Sequence, residues 1–204
     1  MLIYLTSVAS KTLDKLIPLL PKSPQEMTVA FIPTAGDLYQ EKPWMEEDRK
    51  KLIDLGFQVE ELDIKGKARD ELEKSLLDKD IIFVAGGNTS YLLEKAQKSG
   101  FIELAKDLVK KGKIYVGSSA GSLLACPNIE VDKIYDDGEF GKELKSYEGL
   151  SFVDFVILPH ADNPKYTSYL EKIFNQYGDK YKLKKLNDNQ AFVVNNDGVE
   201  LVEV

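Results

Sequence analysis

The 204-residue chain has one cysteine, one histidine, one tryptophan and two arginines, Arg49 and Arg69. A lone Cys126 excludes an intramolecular disulfide, and Met1-Leu2-Ile3-Tyr4-Leu5-Thr6 lacks the basic flank and length of an export signal. Both features point to the cytoplasm. No apolar run approaches the roughly 20 residues needed to span a bilayer, so no membrane partner is expected. Acidic residues outnumber basic ones, 34 to 27, for a net charge of -7, and no basic stripe interleaves with aromatics. Such a surface repels phosphate backbones and argues against nucleic acid as a partner. Cys126 lies in Leu123-Leu124-Ala125-Cys126 just before Pro127, a setting that suits a small packing residue better than a nucleophile.

What is present suits one globular domain over residues 1–204, with 43% hydrophobic and 30% charged residues. Short runs rich in Ile, Val, Phe and Tyr alternate with helix-like segments, the pattern of parallel strands buried under helices on both faces. The fold class read from this is α/β, a doubly wound and mostly parallel sheet between helix layers. Strands are expected at 2–6, 28–33, 57–64, 80–85, 113–117 and 152–158, and helices at 11–20, 43–55, 69–77, 89–98, 101–110 and 164–177. A C-terminal β-hairpin is expected where 191–195 and 199–204 flank Asn196-Asp197-Gly198.

Reactive groups of an open α/β sheet collect on loops at the carboxyl ends of its strands. The fifth expected strand runs into Gly117-Ser118-Ser119-Ala120-Gly121, a G-x-S-x-G match on a strand-to-helix turn. Its glycines permit a tight elbow that projects the Ser119 hydroxyl, and the N–H of Ala120 at the helix start faces a developing oxyanion. The fourth strand runs into Gly86-Gly87-Asn88-Thr89, where Gly87 is the expected second oxyanion donor. Asn88 and Ser118, beside these groups, are candidate substrate contacts. The sixth strand leads to Pro159-His160-Ala161-Asp162, with the one imidazole able to take a serine proton at neutral pH. An acid to orient His160 is offered by Asp132, Asp136, Asp137 and Glu139, with Asp162 as a competitor; Asp136 ranks first. Three signals at one sheet edge read as a serine hydrolase, and this chemistry needs no metal or cofactor.

The runs Gly86–Leu93, Ser119-Ala120-Gly121 with Ala125-Cys126-Pro127-Asn128-Ile129, and Leu158-Pro159-His160 resemble the peptidase E (aspartyl dipeptidase) family of serine peptidases, relatives of the cyanophycinases. The resemblance spans most of the chain. It implies a class I glutamine-amidotransferase-like (flavodoxin-like) fold, Ser119 as nucleophile, His160 as base, Gly87 and Ala120 as oxyanion hole, and an acid in the loop after the nucleophile helix. It implies a small peptide as substrate, and a monomer or homodimer is expected. The segment with which aspartyl dipeptidases hold an N-terminal aspartate through arginine is missing here, and Lys165 is the nearby point charge that could stand in. Two other readings use the same residues differently. The site could act on an ester or thioester, or Thr6-Ser7-Val8-Ala9-Ser10-Lys11-Thr12 could cradle a phosphate in a non-catalytic binding protein.

Overall fold

In the computed structural model, which describes residues 1–136 and 140–204 with the side chain of Asp136 excepted, nine strands and eight α-helices are resolved. The strands are β1 (Ile3–Thr6), β2 (Thr28–Ile32), β3 (Gln58–Glu61), β4 (Ile81–Val84), β5 (Ile114–Ser118), β6 (Val156–Leu158), β7 (Leu183–Lys185), β8 (Gln190–Asn195) and β9 (Gly198–Glu203). The helices are α1 (Ala9–Thr12), α2 (Pro43–Asp54), α3 (Arg69–Leu76), α4 (Thr89–Ser99), α5 (Phe101–Lys110), α6 (Ala120–Leu124), α7 (Lys133–Asp136) and α8 (Thr167–Tyr177).

Seven strands form one sheet in the order β3-β2-β4-β5-β1-β8-β9. The first five are parallel, while β8 runs antiparallel to β1 and closes with β9 into the expected hairpin. Every residue of β1, β4 and β5 is buried, and their side chains alternate between two apolar layers. Ile3, Leu5, Ile82 and Val84 face the layer packed by α3, α4, α5, α6 and α8. Tyr4, Ile81, Phe83 and Val116 face the layer that includes α1 and α2, where the rings of Phe31 and Phe83 stack with centroids 5.1 Å apart. No helix is long and apolar enough to cross a membrane among the described residues.

Two expected elements differ. In place of a helix over 11–20 there is the short α1 and then two 3-10 turns, Leu13–Lys15 and Ile17–Leu19, because Pro18 supplies no N–H to a continuing helix. The strand expected over 152–158 shrinks to β6 and lies outside the main sheet. It pairs in parallel with β7, an element the lysine-rich sequence did not reveal. The preceding residues are tied elsewhere: the N–H groups of Leu150, Ser151 and Phe152 donate to the carbonyls of Leu124, Cys126 and Ala125. Ile157 N–H donates to Cys126 Sγ at 3.3 Å, and burial pushes this thiol up to about 12, so Cys126 packs as expected.

Candidate active site

The turn from β5 into α6 has Ser119 in a conformation that L-residues avoid, φ 49° and ψ -103°. It is imposed by neighbours rather than by the serine. Ser119 N–H is drawn onto the Thr6 carbonyl at 3.0 Å, while the Ser122 and Leu123 N–H groups bond the Ser119 carbonyl. The flanking glycines are steric necessities. A Cβ on Gly117 would lie 2.6 Å from the Gly121 backbone, and one on Gly121 would overlap the Val84 carbonyl of β4. The serine hydroxyl is thereby raised above the sheet edge.

Two backbone segments lie close to it, the Gly86-Gly87 turn and the start of α6. A Cβ added to Gly86 would sit 3.3 Å from Ser119 Cβ, so the Gly86-Gly87 turn runs directly over the serine. Gly87, at φ 148°, packs so tightly on the Ala35 carbonyl that no side chain fits. Its neighbour Asn88 N-caps α4, with Oδ1 accepting from Tyr91 N–H at 2.7 Å. Ala120 opens α6, where its N–H has no carbonyl four residues back to bond.

His160 follows β6 and is tied to the end of β1 by the bond from its N–H to Ser7 Oγ at 2.7 Å. It too has a positive φ, 59°. Its Nε2 lies 2.9 Å from Ser119 Oγ and its Nδ1 2.6 Å from Oδ1 of Asp188. The ring of Tyr166 stacks on the imidazole, centroids 5.0 Å apart and planes 24° from parallel. Burial works to raise the Asp188 carboxyl, but hydrogen bonds from His160 and Ser7 and the charges of His160 and Lys11 outweigh it and hold the group below its ordinary value. An ionised Asp188 accepts only, so the proton on the ring belongs on Nδ1 and the Nε2 lone pair faces Ser119.

The carboxylate bonded to His160 among the described residues is Asp188, where the sequence ranked Asp136 first. Asp132 is committed elsewhere: its Oδ2 takes the N–H and hydroxyl of Ser90 in the first turn of α4, at 3.0 and 2.8 Å. Asp137 and Glu139 lie outside the described residues, as does the side chain of Asp136. Asp162, the competitor, accepts from Asp188 N–H at 2.9 Å and so steadies the acid without touching the imidazole. Ser7, which the sequence offered as part of a phosphate cradle, is instead bonded to both Asp188 and His160.

A cavity of about 390 Å³ opens on one side of Ser119, walled by Tyr39, Tyr135, Phe140, Tyr166 and Tyr169, with Asn88 and Asp132 as polar groups. A second, of about 270 Å³, shares Ser119 and His160 with the first and is otherwise lined by Val8, Trp44, Asp48 and Ser118 among others. Ser118, proposed from sequence as a substrate contact, is 3% exposed, and its Oγ accepts from Ala9 N–H at 3.4 Å. Its hydroxyl also bonds Asp48, which accepts from Ser10 N–H at 2.7 Å. Burial pushes the Asp48 carboxyl up to about 6, the hydrogen bonds from Ser118 and Ser10 only partly offsetting it. The folded state thus holds this proton more tightly than the unfolded chain, so the stability of protonated Asp48 is lost as pH rises from about 4 through 6. Asp48→Asn keeps an acceptor for Ser10 and removes the buried charge. Urea titrations are expected to find it more stable than the parent at pH 7.5, by on the order of 2 kcal/mol, and equal to it near pH 4.

The sequence model of peptidase family S51 matches residues 4–202. The chain belongs to peptidase family S51. Within the family it is 34% identical over 170 residues to an uncharacterized peptidase of Listeria monocytogenes, covering 83% of each chain. It is 33% identical over 139 residues to peptidase E of Salmonella arizonae, 67% of this chain and 56% of that protein. The crystal structure of a candidate peptidase E from Listeria monocytogenes EGD-e superposes with TM-score 0.91 at 30% identity, over 100% of this chain and 98% of that one. As an S51 peptidase the chain has the expected fold, a mostly parallel sheet flanked by helices with an antiparallel C-terminal pair.

Proposed function

We propose that this S51 peptidase hydrolyses small peptides through an acyl-enzyme on Ser119, with His160 as general base, Asp188 as the orienting acid, and the N–H groups of Gly87 and Ala120 as oxyanion donors. The observation that carries the reading is the unbroken chain Ser119 Oγ, His160 Nε2 and Nδ1, Asp188 Oδ1, with steps of 2.9 and 2.6 Å. Ser119 attacks the scissile carbonyl while Nε2 takes the hydroxyl proton. Asp188 stabilises the imidazolium so formed. His160 then protonates the leaving amine, the C–N bond breaks, and water activated by the same nitrogen releases the acyl group.

The two cavities give the substrate a side for each half of the scissile bond. Neither is lined by arginine or lysine among the described residues. Arg69 is paired with Asp107 at 2.8 Å, and Lys165 does not line either cavity. An N-terminal aspartate therefore finds no guanidinium to hold its carboxylate, and the aromatic walls favour neutral or aromatic side chains.

A serine-directed fluorophosphonate tests the mechanism, with the adduct located by peptide mass spectrometry. Modification confined to Ser119 and greatly slowed in His160→Ala is the expected result. Folded protein left unmodified at Ser119 overturns it.

A further inference from the structure

Ser7 follows β1, is 1% exposed, and makes more contacts to the site than a loop hydroxyl needs. Its oxygen accepts the backbone N–H of His160 at 2.7 Å, its hydroxyl donates to Asp188 Oδ1 at 2.8 Å, and His160 Nδ1 lies 3.1 Å away. We propose that Ser7 is a positioning residue that fixes the His160 tautomer and the strained backbone beneath it. This rests on the reading of Ser119 and His160 as nucleophile and base.

A hydroxyl has one proton to give. With the His160 N–H occupying an acceptor site, the Ser7 proton has two destinations, Asp188 Oδ1 or Nδ1. The ionised carboxylate takes it, since charge-assisted hydrogen bonds are the stronger. Ser7 then faces Nδ1 as an acceptor, as Asp188 does, and a nitrogen between two acceptors must itself be protonated. The lone pair is left on Nε2, facing Ser119. The bond from His160 N–H to Ser7 has a second effect, because it ties a residue at φ 59° to the end of a buried central strand. Deleting the hydroxyl removes one of the two acceptors at Nδ1 and loosens both the Asp188 carboxylate and the His160 backbone, so the ring proton is held on Nδ1 less firmly and the Nε2–H form, which cannot accept from Ser119, gains population.

The single histidine makes the tautomer directly readable, since ring nitrogen resonances of protein labelled with ¹⁵N-histidine arise from His160 alone. Neutral wild-type protein is expected to show the Nδ1–H form. In Ser7→Ala the Nε2–H form is expected to grow, with fluorophosphonate modification of Ser119 slowed about tenfold. In an Asp188→Asn background the same change should slow modification by less than about twofold, because the two groups act through one ring. Ser7→Ala with unchanged ring resonances and an unchanged rate overturns the proposal. So does a wild-type spectrum dominated by Nε2–H, a result that stands even where the variant fails to fold. Wild-type protein unmodified at Ser119 strikes instead at the peptidase mechanism, and the ring spectra still judge the role of Ser7.

Discussion

Ser119→Ala is expected to abolish hydrolysis of any peptide the parent cleaves, lowering kcat by about a million-fold, with the folded state retained. The serine hydroxyl is the one group able to form the acyl bond, and its loss removes the covalent path entirely. His160→Ala should fall nearly as far, since an unactivated hydroxyl is a poor nucleophile at neutral pH. The double variant should be no slower than either single one, because the two residues form one device. Single-turnover kinetics with a peptide substrate provide the measurement. Additive losses in the double variant would mean that serine and imidazole act separately.

The second large effect separates two aspartates. Asp188→Asn is expected to lower kcat about ten-thousand-fold while circular dichroism stays unchanged. The amide can donate to the ring nitrogen that Asp188 now accepts from, so it favours the tautomer with its proton on Nε2, facing Ser119. Asp136→Asn should stay within about twofold of the parent. Reversed magnitudes would return the acid to the segment after the nucleophile helix and leave Asp188 as scaffold.

Why the sequence revealed one half of this site and hid the other follows from strand direction. Ser119, Gly87 and the first-strand loop follow parallel strands, and a search of carboxyl ends meets them at once. The elbow also announces itself, because its conformation and the crowding at Gly117 and Gly121 leave few residue choices. Asp188 precedes its strand. Since β8 runs antiparallel to β1, with Thr6 opposite Ala191, the residues before Ala191 emerge at the same edge as those after Thr6. Reading only the residues after strands misses them, and Asn187-Asp188-Asn189-Gln190 looks like an ordinary polar turn. His160 was found because there is one histidine, although the strand leading to it sits in a separate pair with β7. Ser7 entered the sequence reading only as part of an alternative phosphate cradle, because a hydroxyl-rich loop after a first strand suits a phosphate as readily as a carboxylate; its bonds run to His160 and Asp188. The shortened first helix could have been anticipated from Pro18.

The antiparallel placement of β8 also makes the site depend on a pairing between distant parts of the chain. Ser119 follows β5 and His160 follows β6, whereas Asp188 is carried to His160 by the segment that leads into β8. Until β8 zips onto β1, the imidazole has no carboxylate to turn its lone pair toward the serine. Loosening of the pairing between β8 and β1 therefore separates Asp188 from His160 without any change in the elbow sequence around Ser119.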